Sequence, residues 1–543
     1  MDHTIFKIKE PANEPTLSYA PGSPERAIMK QTLDRMSNET FEIPAIIGGK
    51  EFFSGETEPM IMPHDHRHVM GTWHKTSEEW IELAIKTALT AKREWEAIPW
   101  PQRASIFMRA AELIHHQYRY LLNAATMLNQ GKNVHQAEID ATCETADYLR
   151  FNPYFMNMIY DDQPHSPEGV SNRLVYRPLE GFVYAISPFN FTSIAANLAT
   201  APVLMGNVTL WKPASAAVLS GYYLMRLFQE AGFPDGVINF IPGSASKIST
   251  PILRHVDLAG VHFTGSTAVF QEIWKQVGCN IERYRTYPHL VGETGGKNFM
   301  VIHASADLQE AATAVVRGGF EYQGQKCSAA SRLYVPSSKW APLKSILEAM
   351  VAAIQIGDPR DFSNFMNAVL DESAFDRIMG YIQKAEADPD TEIILGGKGD
   401  KRVGYFIEPT LLLTRNPRSV FMEHEIFGPV VTAFLYDESA FEETLRLCDH
   451  TSPYALTGSI FARDRAAILK AEHALRYAAG NFYINDKPTG AIVGEQPFGG
   501  ARASGTNDKA GSHINLHRWI SPRTIKENFY PPADFTYPFL REP

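Results

Sequence analysis

Cys327 is the residue of this sequence that is best placed to do chemistry. It lies between a turn at Gly324 and the small residues Ser328 and Ala329. This setting leaves open backbone on one side of the thiol and room for a substrate on the other. An isolated cysteine is more often a buried packing residue than a nucleophile, so the interpretation of Cys327 depends on three other segments.

Those three segments contain polar side chains that suit a single reaction. Asn190 offers uncharged N–H donors, which suit an oxyanion that forms nearby. Glu293 lies among glycines in a mostly uncharged stretch, where a raised pKa would suit a general base. Glu425 stands two residues before Phe427, as would suit a ribose diol beside a nicotinamide ring. Taken singly, each also fits an ordinary structural role as a turn amide, a solvated acid or a core aromatic.

Short apolar runs that alternate with helical segments must position these side chains. The runs cover 182–186, 208–211, 237–241 and 260–263. Strands separated by helices predict βαβ units and a parallel sheet. Each run ends in turn residues, and open α/β sheets bind ligands at the carboxyl ends of their strands. We therefore expect the cofactor contacts in the four loops that follow these runs.

The remainder of the chain predicts helices, a second α/β domain and two arms. Apolar residues recur at helical spacing between 76 and 150, with a break at Pro99 and Pro101. A second α/β pattern covers about 297–500, and a chain of 543 residues exceeds the size of one hydrophobic core. The polar, alternating stretch 170–178 and the tail after 512 fit neither domain, so we expect both to pair with another subunit.

The composition excludes several classes of protein. Hydrophobic residues make up 44% of the chain, charged residues 21%, and the net charge is -10. An acidic balance without a basic run argues against a nucleic-acid partner. Four widely spaced cysteines without a CxxC motif favour a reducing compartment. With no secretory signal and no apolar stretch of roughly 18 residues, we expect a cytoplasmic protein without a membrane partner, or a matrix protein if a presequence has been removed.

Three histidines alternate in a way that is also seen in metal sites. A strand would place His64, His66 and His68 on one face. The segment lies far from the other motifs, and no further ligand is indicated. We therefore expect no bound metal and leave the function of these histidines open.

Taken together, these segments resemble the aldehyde dehydrogenase superfamily in order and spacing. The resemblance spans essentially the whole chain and includes 212–215 and 263–266. A narrower resemblance, to the members that oxidise L-glutamate γ-semialdehyde, rests on 11–15, 22–26, 136–140, 481–487 and 494–509. It implies an α/β fold with a Rossmann-type cofactor domain (1–163 and 182–292), a catalytic domain (293–511) and small oligomerisation arms (164–181 and 512–543).

The resemblance also implies a reaction. Cys327 would attack the aldehyde, and Asn190 with the Cys327 backbone N–H would stabilise the alkoxide. Loss of hydride to the nicotinamide ring would leave a thioester, which water activated by Glu293 would hydrolyse. The expected function is therefore NAD-dependent oxidation of L-glutamate γ-semialdehyde, the open form of Δ1-pyrroline-5-carboxylate, to L-glutamate in proline catabolism.

The cofactor contacts that the resemblance implies are Ser187, Lys212, Ser215, Gly265, Ser266, Glu425 and Phe427. Lys212 matches a contact to the adenosine ribose, and Glu425 matches the acid on the nicotinamide ribose. The sequence contains no GxGxxG, so the usual dinucleotide fingerprint is missing. Ser215 stands where NAD-selective relatives often have an acid. NAD is therefore expected, and NADP is left open.

The substrate contacts that the resemblance implies are Glu144, Phe191, Ser328, Gly490, Ala491 and Phe498. The loop at Gly490 and Ala491, with the Ser328 hydroxyl, matches a site for the α-carboxylate, and Glu144 matches an acid near the ammonium. The two phenylalanines match aromatics that flank the aliphatic middle of the substrate. Glu144 equally fits a solvated or salt-bridged position on a helix.

Two alternative functions remain open. The first is another semialdehyde dehydrogenase, including an acylating enzyme that transfers the thioester to coenzyme A. The presence of Glu293 favours water as the acceptor. The second is a non-catalytic relic of the fold, which the intact nucleophile, base and oxyanion donor disfavour. We expect a homo-oligomer, dimeric or higher, that acts on a small-molecule substrate.

Overall fold

The structure, a computed structural model, describes residues 6–541. Within that range, seven strands form a first sheet whose central pairs are parallel and whose last two strands are antiparallel. Their order across the sheet is His289–Glu293, Leu258–Thr264, Phe182–Ile186, Thr209–Lys212, Ile238–Phe240, Ala45–Ile47 and Lys50–Phe52. All four runs that the sequence predicts as strands lie in this sheet.

A second sheet of seven strands is built from the later part of the described chain. It is parallel except at its first strand. Its order is Thr391–Leu395, Thr410–Thr414, Val430–Tyr436, Ala330–Pro336, Asn298–Ile302, Thr457–Phe461 and Asn481–Ile484. Together with the first sheet, it confirms the predicted α/β fold class. The predicted domain boundaries stay a prediction.

Helices cover both sheets. Those of the first half are Pro24–Asn38, Glu78–Ala97, Trp100–Leu113, Arg119–Gln130, Val134–Ala137, Thr145–Asp161, Thr192–Leu204, Val218–Ala231, Ala245–Arg254 and Thr267–Cys279. Those of the second half are Leu308–Phe320, Ser337–Ala352, Glu372–Ala387, Val420–Glu423, Phe441–Thr451, Arg465–Ala474 and His513–Leu516. Single turns of 3₁₀ helix are Ser215–Ala217, Ile281–Arg283, Glu321–Gly324, Glu438–Ala440, His517–Trp519 and Pro538–Leu540.

The helix Glu78–Ala97 shows why the predicted helical region folds as it does. Ser77 caps its first turn by accepting a hydrogen bond from the Trp80 backbone N–H at 3.3 Å. Its apolar face buries Ile81 and Ala84 against the core. The helix ends before Pro99, and the next begins at Trp100 with Pro101 in its first turn, where a missing N–H costs nothing.

Small additional sheets and two π-helical turns complete the fold. One small sheet has three strands in the order Phe41–Ile43, Asp65–His74 and Thr57–Met62. Two further sheets have two strands each: Gly399–Asp400 pairs with Phe406–Ile407, and Tyr454–Ala455 pairs with Ala501–Arg502. The π-helical turns are Ile114–Tyr118 and Glu138–Glu144. Glu138 is fully buried and accepts hydrogen bonds from Tyr19 and Asn123 and contacts Arg119. The second turn therefore joins the N-terminal segment to the core.

The stretch that the sequence assigned to neither domain forms a separate ribbon. Val170–Pro178 pairs in antiparallel register with Ile520–Asn528, from Val170 opposite Asn528 to Pro178 opposite Ile520. No third strand joins these two among residues 6–541. The pairing agrees with an arm, while its part in assembly stays a prediction.

The three histidines near residue 66 do not share a set of partners. His64 is buried, and burial lowers its pKa to about 4. The His66 ring stacks on Tyr405 with centroids 4.9 Å apart, and His68 is half-buried. In the part of the chain that the structure describes, no three His, Cys, Asp or Glu side chains are grouped as a metal site would require. Likewise, no helix in that part is both long and apolar enough to cross a membrane.

Candidate active site

The loop before Cys327 has an unusual backbone that long-range hydrogen bonds hold in place. Tyr322, Gln323 and Gly324 have φ values of 51°, 55° and 65°. Left-handed conformations at non-glycine residues cost on the order of 1–3 kcal/mol each. The Tyr322 hydroxyl donates to Gln130 O at 3.0 Å, and Gln323 Nε2 donates to Gly131 O at 2.9 Å and to Ala368 O at 2.8 Å. These bonds offset the strain and fix where the nucleophile loop lies.

The buried side-chain amide of Asn298 binds the backbone of Cys327. Asn298 Nδ2 donates to Cys327 O at 2.7 Å and to Ala329 O at 2.8 Å. The thiol is partly exposed to a cavity. Burial raises its pKa to about 12, and the carboxylates of Glu425 and Glu293 add to the effect. The thiol is therefore protonated at neutral pH until it attacks.

Asn190 is bound to the nucleophile loop. Its buried Nδ2 donates to Gln325 O at 3.0 Å, two residues before Cys327. An amide has two N–H donors, so one remains for a substrate oxygen. The predicted oxyanion donor and the predicted nucleophile thus belong to one hydrogen-bonded unit.

Asp140 fixes the start of the helix that follows Asn190. It accepts hydrogen bonds from the backbone N–H groups of Thr192 and Ser193 at 3.0 and 2.9 Å. Lys132 Nζ pairs with Asp140 at 2.7 Å, and both side chains are fully buried. The same ammonium lies 4.1 Å from the centre of the Phe191 ring. This ion pair therefore orients both the oxyanion loop and one predicted substrate aromatic.

Glu293 ends the strand His289–Glu293, and its carboxyl group faces the same cavity as Cys327. Its Oε2 accepts a hydrogen bond from the Gly500 N–H at 3.1 Å. Burial raises its pKa well above the ordinary value, and the Gly500 hydrogen bond opposes this only in part. A raised pKa suits a general base, because the carboxylate then binds a proton more readily.

A cavity of about 370 Å³ brings the predicted substrate residues together. Its walls include all six of them together with Cys327 and Glu293, namely Glu144, Phe191, Ser328, Gly490, Ala491 and Phe498. The Ser328 and Thr489 hydroxyls lie 2.7 Å apart, which ties the 489–491 loop to the nucleophile loop. The cavity suits a small aldehyde with polar groups away from the reacting carbon.

One part of the cavity wall is acidic. Ser193 Oγ donates to Glu144 Oε2 at 2.9 Å, and burial, with the neighbouring Asp140 carboxylate, raises the pKa of Glu144 to about 8. Burial raises the pKa of Asp147 to about 6. Asp147 accepts hydrogen bonds from Asn13 Nδ2 at 2.8 Å and the Glu14 N–H at 2.7 Å. These carboxyl groups suit recognition of an ammonium group.

The predicted cofactor residues follow the ends of strands in the first sheet. Ser187 Oγ accepts from Trp211 Nε1 at 3.0 Å, and the Gly265 N–H donates to Glu293 O at 3.2 Å. Lys212 Nζ is buried and donates to Pro213 O at 2.9 Å. Burial lowers the pKa of Lys212 to about 8. An ammonium whose protein partner is one neutral carbonyl retains donors for a hydroxyl-rich ligand.

The remaining cofactor candidates lie on turns. Ser215 and Ser266 are exposed, and Ser266 caps the helix Thr267–Cys279. Glu425 Oε1 accepts from the Gly296 N–H at 2.8 Å, and burial raises its pKa to about 7. Phe427 has a φ of 55° and meets Phe189 edge-on at 5.9 Å. These groups fit a dinucleotide, because Glu425 has a second oxygen for a ribose hydroxyl and the aromatic ring offers an apolar face.

Phe270 packs against the end of the first sheet. Its ring stacks on Phe263 at 5.4 Å and lies so close to Gly292 that a β-carbon there would be 2.3 Å from it. The aromatic pair therefore packs closely against the strand His289–Glu293.

Several polar residues of the cavity were not assigned from the sequence. Three of them are Asn13, Asp147 and Lys487. Asn13 and Lys487 lie inside two of the segments of the narrower resemblance, 11–15 and 481–487, but no chemistry was attached to them. Asp147 gave no signal, since it is one of many helical acids.

The arrangement of a cavity thiol, a buried carboxyl group and an amide donor, beside strand ends fitted to a dinucleotide, is that of an enzyme that oxidises aldehydes through a thioester. The profile of the aldehyde dehydrogenase family matches residues 52–525. The chain belongs to the aldehyde dehydrogenase family.

Similar proteins within this family share one name. A Dictyostelium discoideum protein called mitochondrial delta-1-pyrroline-5-carboxylate dehydrogenase is 51% identical over 539 residues, which cover 99% of this chain and 97% of that protein. The Homo sapiens protein of the same name is 44% identical, over 98% of this chain and 94% of its own length. The Mycobacterium tuberculosis Delta-pyrroline-5-carboxylate dehydrogenase, solved with NAD bound, matches with a TM-score of 0.96 at 47% identity, over 100% of each chain.

Proposed function

We propose that this enzyme oxidises L-glutamate γ-semialdehyde, the open form of Δ1-pyrroline-5-carboxylate, to L-glutamate with NAD, in proline catabolism. The observation that supports this most directly is the cavity, which combines Cys327 and Glu293 with the acidic wall at Glu144 and the 489–491 loop. The relatives and the solved structure named above support the same substrate. NADP stays open, since Ser215 presents no carboxylate that would repel a 2′-phosphate.

The first chemical step is the attack of Cys327 on the aldehyde carbon. A C–S bond forms as the carbonyl π bond breaks, the thiol proton passes to solvent, and the carbonyl oxygen becomes an alkoxide. The free N–H of Asn190 and the Cys327 backbone N–H stabilise that charge; removing one such donor elsewhere costs about 3–4 kcal/mol of transition-state stabilisation. When bound at the carboxyl ends of the first sheet, NAD supplies a hydride acceptor.

The second step releases the product. Loss of hydride leaves a thioester on Cys327, and Glu293 takes a proton from the water that attacks it. The C–O bond forms and the C–S bond breaks, the departing sulfur takes the proton back from Glu293, and the carboxylic acid loses its proton to solvent, which leaves a carboxylate. Glu293 faces the cavity with a pKa well above the ordinary carboxyl value, as this proton transfer needs.

Steady-state kinetics with a panel of aldehydes tests the proposed substrate. We expect kcat/KM for L-glutamate γ-semialdehyde to exceed that for succinate semialdehyde and for pentanal. A higher kcat/KM for succinate semialdehyde would show that the substrate is wrong. Product formation that requires coenzyme A would favour the acylating alternative over hydrolysis.

We also propose a cellular compartment and an oligomeric state for the protein. We place the protein in the cytoplasm, with the mitochondrial matrix as the alternative because the Dictyostelium discoideum and Homo sapiens relatives are called mitochondrial. We also propose a homo-oligomer in which the ribbon of Val170–Pro178 and Ile520–Asn528 contacts another subunit. Imaging of the full chain with a fluorescent protein at its C-terminus decides the first point.

A further inference from the structure

The 489–491 loop of the cavity presents unpaired backbone donors. Thr489, Gly490 and Ala491 lie outside helices and strands, and their N–H groups donate to no backbone or side-chain acceptor within residues 6–541. Gly490 has a φ of 92° and is exposed. Successive free N–H groups in a turn form a concave site for anions. The loop is therefore built to receive an anionic group of the substrate.

Lys487 places a cation directly over this loop. A β-carbon built on Gly490 would lie 3.3 Å from Lys487 Nζ, so the ammonium stands where any side chain at that position would be. Lys487 also lines the cavity. The Lys487 backbone N–H donates to the exposed Asp486 carboxylate at 2.7 Å. The Lys487 Nζ forms no ion pair in the described part of the chain, although Glu495 lines the same cavity.

The other cation of this wall is already neutralised. Lys326 Nζ pairs with the buried Glu321 carboxylate at 3.2 Å. Burial lowers the pKa of Lys326 and of His135, and the Lys487 charge contributes in the same direction to both. The wall beside the 489–491 loop thus has one cation without a counter-ion, in a position that faces the cavity.

We propose that Lys487 is a specificity-determining residue, whose ammonium binds the α-carboxylate of the substrate together with the N–H groups of Gly490 and Ala491. The inference rests on the proposed function, since it presumes a substrate with a carboxylate remote from the aldehyde. It divides recognition between two walls: Lys487 selects the carboxylate, and the acidic wall at Glu144 receives the ammonium.

Three aldehydes of equal chain length test this division. L-Glutamate γ-semialdehyde has both charges, 5-oxopentanoate has the carboxylate alone, and pentanal has neither. Because hydrogen bonds to charged groups contribute about 1.5–3 kcal/mol, Lys487→Met is expected to lower kcat/KM roughly tenfold to hundredfold for the first two, through KM. Pentanal should be unaffected, and Lys487→Arg should restore part of the loss.

Lys398→Met is the matched control, because Lys398 is an exposed lysine that does not line the cavity. It should leave all three substrates unchanged. An equal loss for pentanal and the carboxylate substrates in Lys487→Met, or no loss for either carboxylate substrate, would overturn the proposal for Lys487. If the wild type itself shows no preference for L-glutamate γ-semialdehyde over pentanal, the proposed function fails instead.

A binding measurement keeps the test decisive if Lys487→Met does not fold. Inhibition of the wild type by L-glutamate with pentanal as substrate should weaken as ionic strength rises, since salt screens a partly exposed charge pair. L-Glutamate should inhibit the Lys487→Gln variant poorly at all ionic strengths. Salt-independent inhibition of the wild type would refute a contact between Lys487 and the carboxylate.

Discussion

At the scale of single residues, burial shifts both of the proposed reacting groups toward their protonated forms. Burial raises the pKa of Cys327 to about 12 and the pKa of Glu293 well above its ordinary value. A buried thiol is inert until a substrate or a base changes its surroundings. Burial therefore disfavours the thiolate of Cys327 before a substrate enters the cavity.

Replacing Cys327 with alanine should abolish formation of NADH, because it removes the thiol that is proposed to attack the aldehyde. Cys143 also lines the cavity, but burial raises its pKa to about 12 and it lies near Glu138. Dinucleotide binding should persist in Cys327→Ala, as measured by calorimetry with NAD. Retained turnover would contradict the thioester mechanism.

Replacing Glu293 with glutamine should separate the two steps. The first turnover still forms NADH in a burst, but hydrolysis of the thioester slows, so the steady state falls by about 10²–10⁴-fold, the usual contribution of a general base. Rapid-mixing fluorescence of NADH measures both phases. Loss of the burst together with the steady state would show that Glu293 acts earlier.

The raised pKa of Glu293 also sets the pH dependence of hydrolysis. Burial favours the protonated carboxyl group, so the base form appears only as pH rises through this raised pKa. The steady-state rate of the wild type should therefore still be rising well above about pH 4.3, where an ordinary glutamate is already ionised. Glu293→Gln should lose this rising limb in steady state, and a limb that persists would assign it to another group.

At the scale of elements, loops that end strands are held by contacts with distant segments. The nucleophile loop depends on Gln130, Gly131 and Ala368, while the oxyanion loop depends on Asp140. The 494–509 segment folds over the strand His289–Glu293 and supplies the Gly500 N–H to Glu293. Each catalytic side chain is therefore oriented by an element from elsewhere in the chain.

The Lys132–Asp140 pair should show this dependence in a stability measurement. Asp140→Asn leaves a fully buried ammonium without its counter-ion, which typically costs about 3–5 kcal/mol. The double variant Lys132→Met with Asp140→Asn removes the isolated charge and should regain part of that loss. Urea unfolding of the wild type, both single variants and the double variant gives the coupling energy; additive effects would contradict a direct pair.

At the scale of the whole molecule, the ribbon and the tail after it belong to neither of the two seven-stranded sheets. The ribbon strands pair with each other, and the tail exposes large apolar side chains. These are Phe529, Tyr530, Phe535, Tyr537, Phe539 and Leu540, each at least 53% exposed. An exposed apolar group of this kind is typical of surfaces that contact another chain.

Two truncations distinguish the ribbon from the tail in assembly. Ending the chain after Trp519 removes one ribbon strand and should give the mass of a single subunit by light scattering. Ending it after Asn528 keeps the ribbon and should preserve the oligomer. A single-subunit mass for the full chain would refute the proposed homo-oligomer. Loss of the oligomer in both truncations would assign assembly to the tail and not to the ribbon.

Much of the fold was predictable from local sequence. Runs such as 182–186 and 260–263 became strands of the first sheet, since apolar strands bounded by turn residues are determined by nearby residues. The π-helical turn Glu138–Glu144 and the left-handed backbone at Tyr322 and Gln323 were not predictable. Both depend on long-range hydrogen bonds that override local preference.

The sequence alone determined the family, and it predicted the nucleophile Cys327 and its partners Asn190 and Glu293, because these lie in contiguous motifs with characteristic residue types. Only the tertiary structure decided which charges surround the substrate cavity. Asn13 Nδ2 donates to Val493 O, 480 positions along the chain, at 2.8 Å, and no linear spacing predicts such a contact. The pKa of each cavity carboxyl group was likewise decided by folding, because burial and neighbouring charges exist only once the chain has closed around them.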